Sequence, residues 1–155
     1  MVAIDQLADI RRVLGKVVSI VESADLFRIP PGFANHIAWN AAHVVVTQQM
    51  LQYRLSNLEP HVPAALLDRY RKGTQPEDGD EASYRAVMDY LERTPQMLAD
   101  DYAQGRFMTF TPYTTSAGFE LASIEDAISF NNFHEGIHLG CIMALRKALA
   151  ASGEG

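Results

Sequence analysis

Three of the five histidines stand where helical spacing would gather them. His134 and His138 are four apart, which on a helix puts both imidazoles on one face, about 5 to 6 Å apart at their Cβ atoms. His43 lies far upstream in a stretch with its own helical periodicity and would supply a third nitrogen from a facing helix. Three neutral imidazoles on a divalent ion such as Zn²⁺ or Ni²⁺ leave positions open for water or substrate, which separates a catalytic metal site from a closed structural one. The competing reading is bland: short histidine spacings arise by chance, and buried helical histidines often serve only as core residues bonded to backbone or side chains.

The surroundings of the pair weigh toward a site. Asn131, His134, Glu135, His138 and Cys141 recur at helical spacing on a segment otherwise apolar through Ala127, Ile128, Phe130, Phe133, Ile137, Ile142 and Leu145. Such a polar stripe is expensive to bury unless its members are engaged. Ligation engages the histidines, Glu135 becomes the candidate catalytic base, and Asn131 a candidate for orienting water or a ligand. Cys141, one turn past His138, is either a soft neighbour of the site or, by preference, a core residue. The stretch also matches the His-Glu-x-x-His pattern of zinc proteases. The longer protease form needs Gly at 141 and His at 144, where this chain has Cys141 and Ala144; the other form needs an acidic ligand from a further helix, and only Glu154 follows. Protease chemistry is disfavoured. His36 reads as a surface histidine in a first helical turn, and His61, between two prolines, has no identifiable partner. Trp39, Met50, Phe130 and the aromatics Phe107, Phe110, Tyr113 and Phe119 are candidates for pocket walls.

The elements that must position these residues are helices. Apolar residues recur at three and four over residues 4–27, 35–57 and from Asp80 to Ala103, where Pro95 must kink or break the helix. Asn35 is placed to cap the second of these helices after the Pro30-Pro31-Gly32 break, and a short helix is expected near 63–71. Lys72 to Asp80 reads as a surface loop. The last helix is expected from Ser123, where Ser123 and Asp126 form a capping box, to about Ala150 before Gly153. Residues 106–121 fit no helix, and Pro112 and Gly118 argue against more than short extended pieces. The expectation is an all-α, up-down-up-down four-helix bundle with an irregular connection before the last helix, a single domain spanning 1–155.

Composition bounds the function. The 155 residues are 48% apolar and 21% charged, ordinary for one globular domain. A core of this size folds without a metal staple, so a metal site needs another reason. Lys and Arg total 13 against 19 Asp and Glu, a net charge of −6 with no basic tract, which argues against nucleic acid or an anionic membrane as partner. One cysteine leaves a reducing compartment, the cytoplasm, as the simplest setting. No apolar run approaches the roughly 18 residues of a membrane span, and the opening MVAIDQLADIRRV resembles neither signal nor transit peptide.

Trp39 and His43 in NHIAWNAAH, together with HEGIHLG on the last long helix, resemble the DinB/YfiT-like superfamily of metal-binding four-helix bundles. The resemblance covers nearly the whole chain. It implies His43, His134 and His138 as ligands of a divalent metal, often zinc or nickel, completed by water, and a homodimer. Relatives of known activity include S-transferases for low-molecular-weight thiols such as bacillithiol, mycothiol-dependent maleylpyruvate isomerase and proteins described as metal-dependent hydrolases. Many relatives carry Gln where this chain has Cys141, so the role of that amide is not carried over. The expected function is a metal-dependent transferase or hydrolase acting on a small molecule, with a low-molecular-weight thiol as a candidate cofactor; the alternative is a non-catalytic, metal-binding, dimeric bundle.

Overall fold

The computed structural model describes residues 1–77 and 80–152. In chain order the elements are α1 (Val2–Ser19), α2 (Ser23–Leu26), α3 (Ile37–Gln49), a π-helical turn (Met50–Arg54), α4 (Ala64–Tyr70), α5 (Asp80–Met88), α6 (Arg93–Ala103), β1 (Tyr113–Thr114), β2 (Glu120–Leu121) and α7 (Ile124–Ser152). The all-helical expectation holds at that level, with one two-stranded ribbon pairing Tyr113 with Leu121 and Thr114 with Glu120. None of the described helices is long and apolar enough to cross a membrane.

Several boundaries differ from the expected ones for local reasons. The first helix stops at Ser19, whose hydroxyl donates to the Lys16 carbonyl at 3.0 Å and competes with the bond that would extend it. The second is capped by His36, not Asn35: His36 Nδ1 accepts the Trp39 amide at 2.9 Å, while Asn35 accepts from the Asn40 side chain. Past Gln49 this helix widens into the π turn, and Asn57 at φ 57° ends it in the left-handed region that Asn tolerates. The third breaks between Met88 and Arg93, ahead of Pro95, which sits in the first turn of α6 where a missing N–H costs little. Ser123 caps α7 as expected, its hydroxyl accepting the Asp126 amide at 3.2 Å; the Asp126 carboxylate returns to Ala122.

The loop expected over Lys72 to Asp80 includes Asp78 and Gly79, and the stop expected at Gly153 follows α7; these positions lie outside the described residues. Asp80 starts α5, where the third long helix is expected to begin, and it is buried, not on a surface loop. Helix α7 packs along α3 and α1, α1 also meets α6, and α3 also meets α4 and α5. Helix α3, uncharged along its length, is buried on almost every side. It thereby holds His43 against α7 in the middle of the molecule.

Candidate metal centre

His43 from α3 and His134 and His138 from α7 meet as a triangle of rings, with centroids 5.2 Å (43 to 134), 4.8 Å (43 to 138) and 4.5 Å (134 to 138) apart. One nitrogen from each lies within 4.8 Å of the other two. Their remaining nitrogens are tied in a way that fixes the chemistry. His43 Nδ1 stands 2.6 Å from the Tyr70 carbonyl, an acceptor only, so Nδ1 carries the proton and Nε2 the lone pair. His138 Nδ1 stands 2.8 Å from Asn40 Oδ1. The Asn40 amide has no freedom to flip, because its NH₂ donates to Asn35 Oδ1 at 2.8 Å and to the His36 carbonyl at 2.9 Å. His138 is therefore also a proton donor at Nδ1 with its lone pair on Nε2.

His134 completes the test of fit. Its Nδ1 is buried with no hydrogen-bond partner among the described residues, in a ring packed against both other imidazoles. An unpaired buried nitrogen is costly on its own terms, and ligation of a cation is the engagement that this arrangement offers. Burial disfavours the imidazolium of all three: His134 is pushed down to about 3 and His138 to about 4, burial acting first and the neighbouring cationic forms adding to it. His43 is also lowered by burial, against the Tyr70 carbonyl. Three neutral donors, two with locked tautomers, suit a divalent metal ion.

A cleft of about 490 Å³ opens onto His43 and His134. Met50, Phe130 and Tyr113 line it as expected. Phe107 instead packs on Tyr53 and Tyr102, Phe110 joins the apolar cores, and Phe119 stacks on Phe130 and Phe133. Trp39 lies flat on His43, with centroids 4.6 Å apart and planes inclined by 11°, and its indole N–H donates to Thr74 at 3.2 Å. It backs a candidate ligand and is not among the residues lining the cleft.

A model of the DinB superfamily matches residues 6–142. The chain belongs to the DinB superfamily. No curated protein matches it. The matched span of this DinB-superfamily chain takes in all three histidines, and also Arg11, which the sequence reading passed over.

Arg11 corrects the role expected of Glu135. Both residues are almost wholly buried, and the guanidinium of Arg11 donates to the Glu135 carboxylate through Nε at 2.6 Å and Nη2 at 2.8 Å. Arg11 also donates to the carbonyls of Leu91 and Val44 and to Gln48 Oε1. Asn131 spends its NH₂ on Glu135 at 2.7 Å. Glu135 is thus the buried counter-ion of Arg11 inside the DinB-superfamily fold and not a free base, and the NH₂ of Asn131 is spent on Glu135. The signal was present: Arg11 sits on the buried stripe of Ile4, Leu7, Leu14 and Val18.

Three other residues also depart from expectation. Cys141 is exposed, so it neither packs in the core nor joins the trio. His36 is buried, capping α3 while its Nε2 lies 3.6 Å from Asp80. His61 has a partner, Asp101 Oδ2 at 2.7 Å, shared with the Tyr53 hydroxyl.

Proposed function

We propose that this protein binds one divalent metal ion, Zn²⁺ or Ni²⁺, on His43, His134 and His138, and that it is a metal-dependent enzyme of the thiol S-transferase type acting on a small molecule. The observation that carries this is the trio itself: neutral imidazoles, one buried and two half-buried, two with fixed tautomers and one with an orphaned nitrogen, of which His43 and His134 line an open apolar cleft. A bound ion supplies positive charge that acidifies water or a thiol reaching its open side.

The chain's own residues do the rest. Tyr70 and Asn40 orient two rings, Trp39 excludes water from one face of His43, and the Thr47 hydroxyl, 3.2 Å from His43 Nε2, donates to the lone pair that a bound ion would take over. With Glu135 committed to Arg11, no carboxylate among the described residues lines the cleft. That favours a thiol over water as the nucleophile, since a thiol ionises near pH 8.5 and needs less help from a base. Hydrolase action is the second reading.

The four long segments, α1, α3 with its π turn, α5 with α6, and α7, are read as up-down-up-down, with the cytoplasm as the setting. A homodimer through α7 is supported by Phe133 and Ile137, exposed beside Gly136 and Gly140, whose Cβ positions face open space. Glycine inside a helix costs about 1 kcal/mol relative to alanine, and nothing within the described chain requires it there. Neither nucleic acid nor a membrane is proposed as partner.

Elemental analysis of the purified protein tests the centre. One ion per chain is expected, with stoichiometric metal lost in His138→Ala while helical content is retained. Failure to take up metal under any loading condition sinks the reading. Incubation of the loaded protein with bacillithiol, mycothiol or glutathione and an electrophile should give metal-dependent conjugation; turnover of esters or amides without thiol would shift the assignment to hydrolase.

A further inference from the structure

The cleft beside the histidines is bordered by cations and by no anion. Arg54, at the end of the π turn, and Arg71 and Lys72, just past α4, line it, and no Asp or Glu does so among the described residues. This runs against the chain's net charge of −6. The partners these cations already have are weak ones. Arg54 faces Glu59 at 3.4 Å and Arg71 faces Asp68 at 3.7 Å, but the two carboxylates are 82% and 81% exposed, so water screens each pair and a ligand can replace it at small cost. Lys72 has no ion pair among the described residues.

The backbone that carries two of the three cations is anchored by the site itself. The Tyr70 carbonyl accepts from His43, and the Thr74 hydroxyl accepts from the Trp39 indole. Arg71 and Lys72 are strung between these two anchors, and Gly73 at φ 89° lets the chain turn after them. Much of the remaining lining is apolar, through Met50, Leu51, Leu55 and Phe130.

We propose that the substrate of this site is an amphipathic organic acid, its carboxylate held by Arg54, Arg71 and Lys72 and its apolar body laid along Met50, Leu51 and Phe130. The proposal rests on the reading of the trio as a catalytic centre and names the substrate class for it. In this geometry the acid group anchors one end of the molecule at the cationic rim while the other end reaches the floor at His43 and His134.

Isothermal titration of the full chain, zinc-loaded and zinc-free, with 4-phenylbutyrate and its neutral counterpart 4-phenylbutanol tests it. In both forms the acid is expected to bind about tenfold tighter than the alcohol, an advantage that shrinks with added salt. Arg71→Gln and Lys72→Gln should each weaken the acid about three- to tenfold and leave the alcohol unchanged. Failure of the metal reading would show separately, as absent zinc uptake with the acid preference intact. Equal affinity for acid and alcohol in protein that takes up zinc overturns this proposal alone, as does the absence of binding by either probe. A preference that appears only with zinc and ignores both substitutions also overturns it, because the carboxylate is then held by the ion.

Discussion

His134 and Glu135 are consecutive residues of α7, and the bundle treats them in opposite ways. Glu135 is sealed between helices and receives N–H groups from Arg11 and Asn131; Arg11 in turn spends its other donors on Leu91, Val44 and Gln48. His134 keeps a buried nitrogen without a partner and borders the cleft. Both positions bury polar atoms, but the Glu135 carboxylate finds its donors within the chain, whereas His134 Nδ1 has no partner among the described residues. The first is an internal strut; the second belongs to the candidate metal centre.

Breaking the saturated half should give the largest effect. Glu135→Ala leaves the Arg11 guanidinium buried without its counter-ion, and a loss of about 3 to 5 kcal/mol is expected in denaturant unfolding. Replacing both partners by apolar residues, Arg11→Met with Glu135→Leu, should recover much of that loss. If Glu135→Ala unfolds like the parent protein and instead abolishes turnover, the distinction drawn between the neighbours is wrong.

The open half should announce itself through pH. His134 and His138 titrate lower in the folded protein than in the unfolded chain, at about 3 and about 4 against an ordinary histidine value of 6.5. Below 6.5 the unfolded state therefore binds more protons, and stability falls as pH drops from 6.5 toward 4, by up to about 1.4 kcal/mol per pH unit for each histidine. Thermal melts of the metal-free protein should show this slope. His138→Ala should reduce it, and added zinc should offset it by holding the rings neutral. A melting temperature indifferent to pH between 6.5 and 4.5 would contradict the burial of the trio.

A smaller and more local effect is expected at Asn40, which holds His138 from outside the triangle. Asn40→Ala should weaken zinc about 10- to 100-fold in a competition titration, with stoichiometry preserved. An unchanged affinity would mean that the Asn40 to His138 hydrogen bond does not orient the ring.

Sequence periodicity made the helices and the histidine trio legible because both follow from local spacing: a gap of four is a statement about one helix face, and the uncharged stretch around His43 had to be buried. What escaped was tertiary. Nothing local tells His134 from Glu135, since which of two adjacent side chains meets a cleft depends on where α1 and α3 come to lie. Arg11 was visible as a charge on an apolar stripe, but its partner sits at the far end of the chain. His36 and His61 looked idle because Asp80 and Asp101 are distant in sequence. The break after Ser19 coincides with no proline or glycine, whereas Pro95 marks the one between Met88 and Arg93; Cys141 sits on an outward face of α7 that is itself partly apolar.

The flat contact between Trp39 and His43 has a practical consequence. Trp39 is the sole tryptophan of the chain, so all of its indole emission originates one ring away from a candidate ligand. Anything that changes the electron demand of that imidazole, whether a proton, a closed-shell ion or a paramagnetic one, alters quenching of the indole directly. Occupancy of the centre can therefore be followed optically in the unlabelled protein, with nickel expected to darken the signal more than zinc.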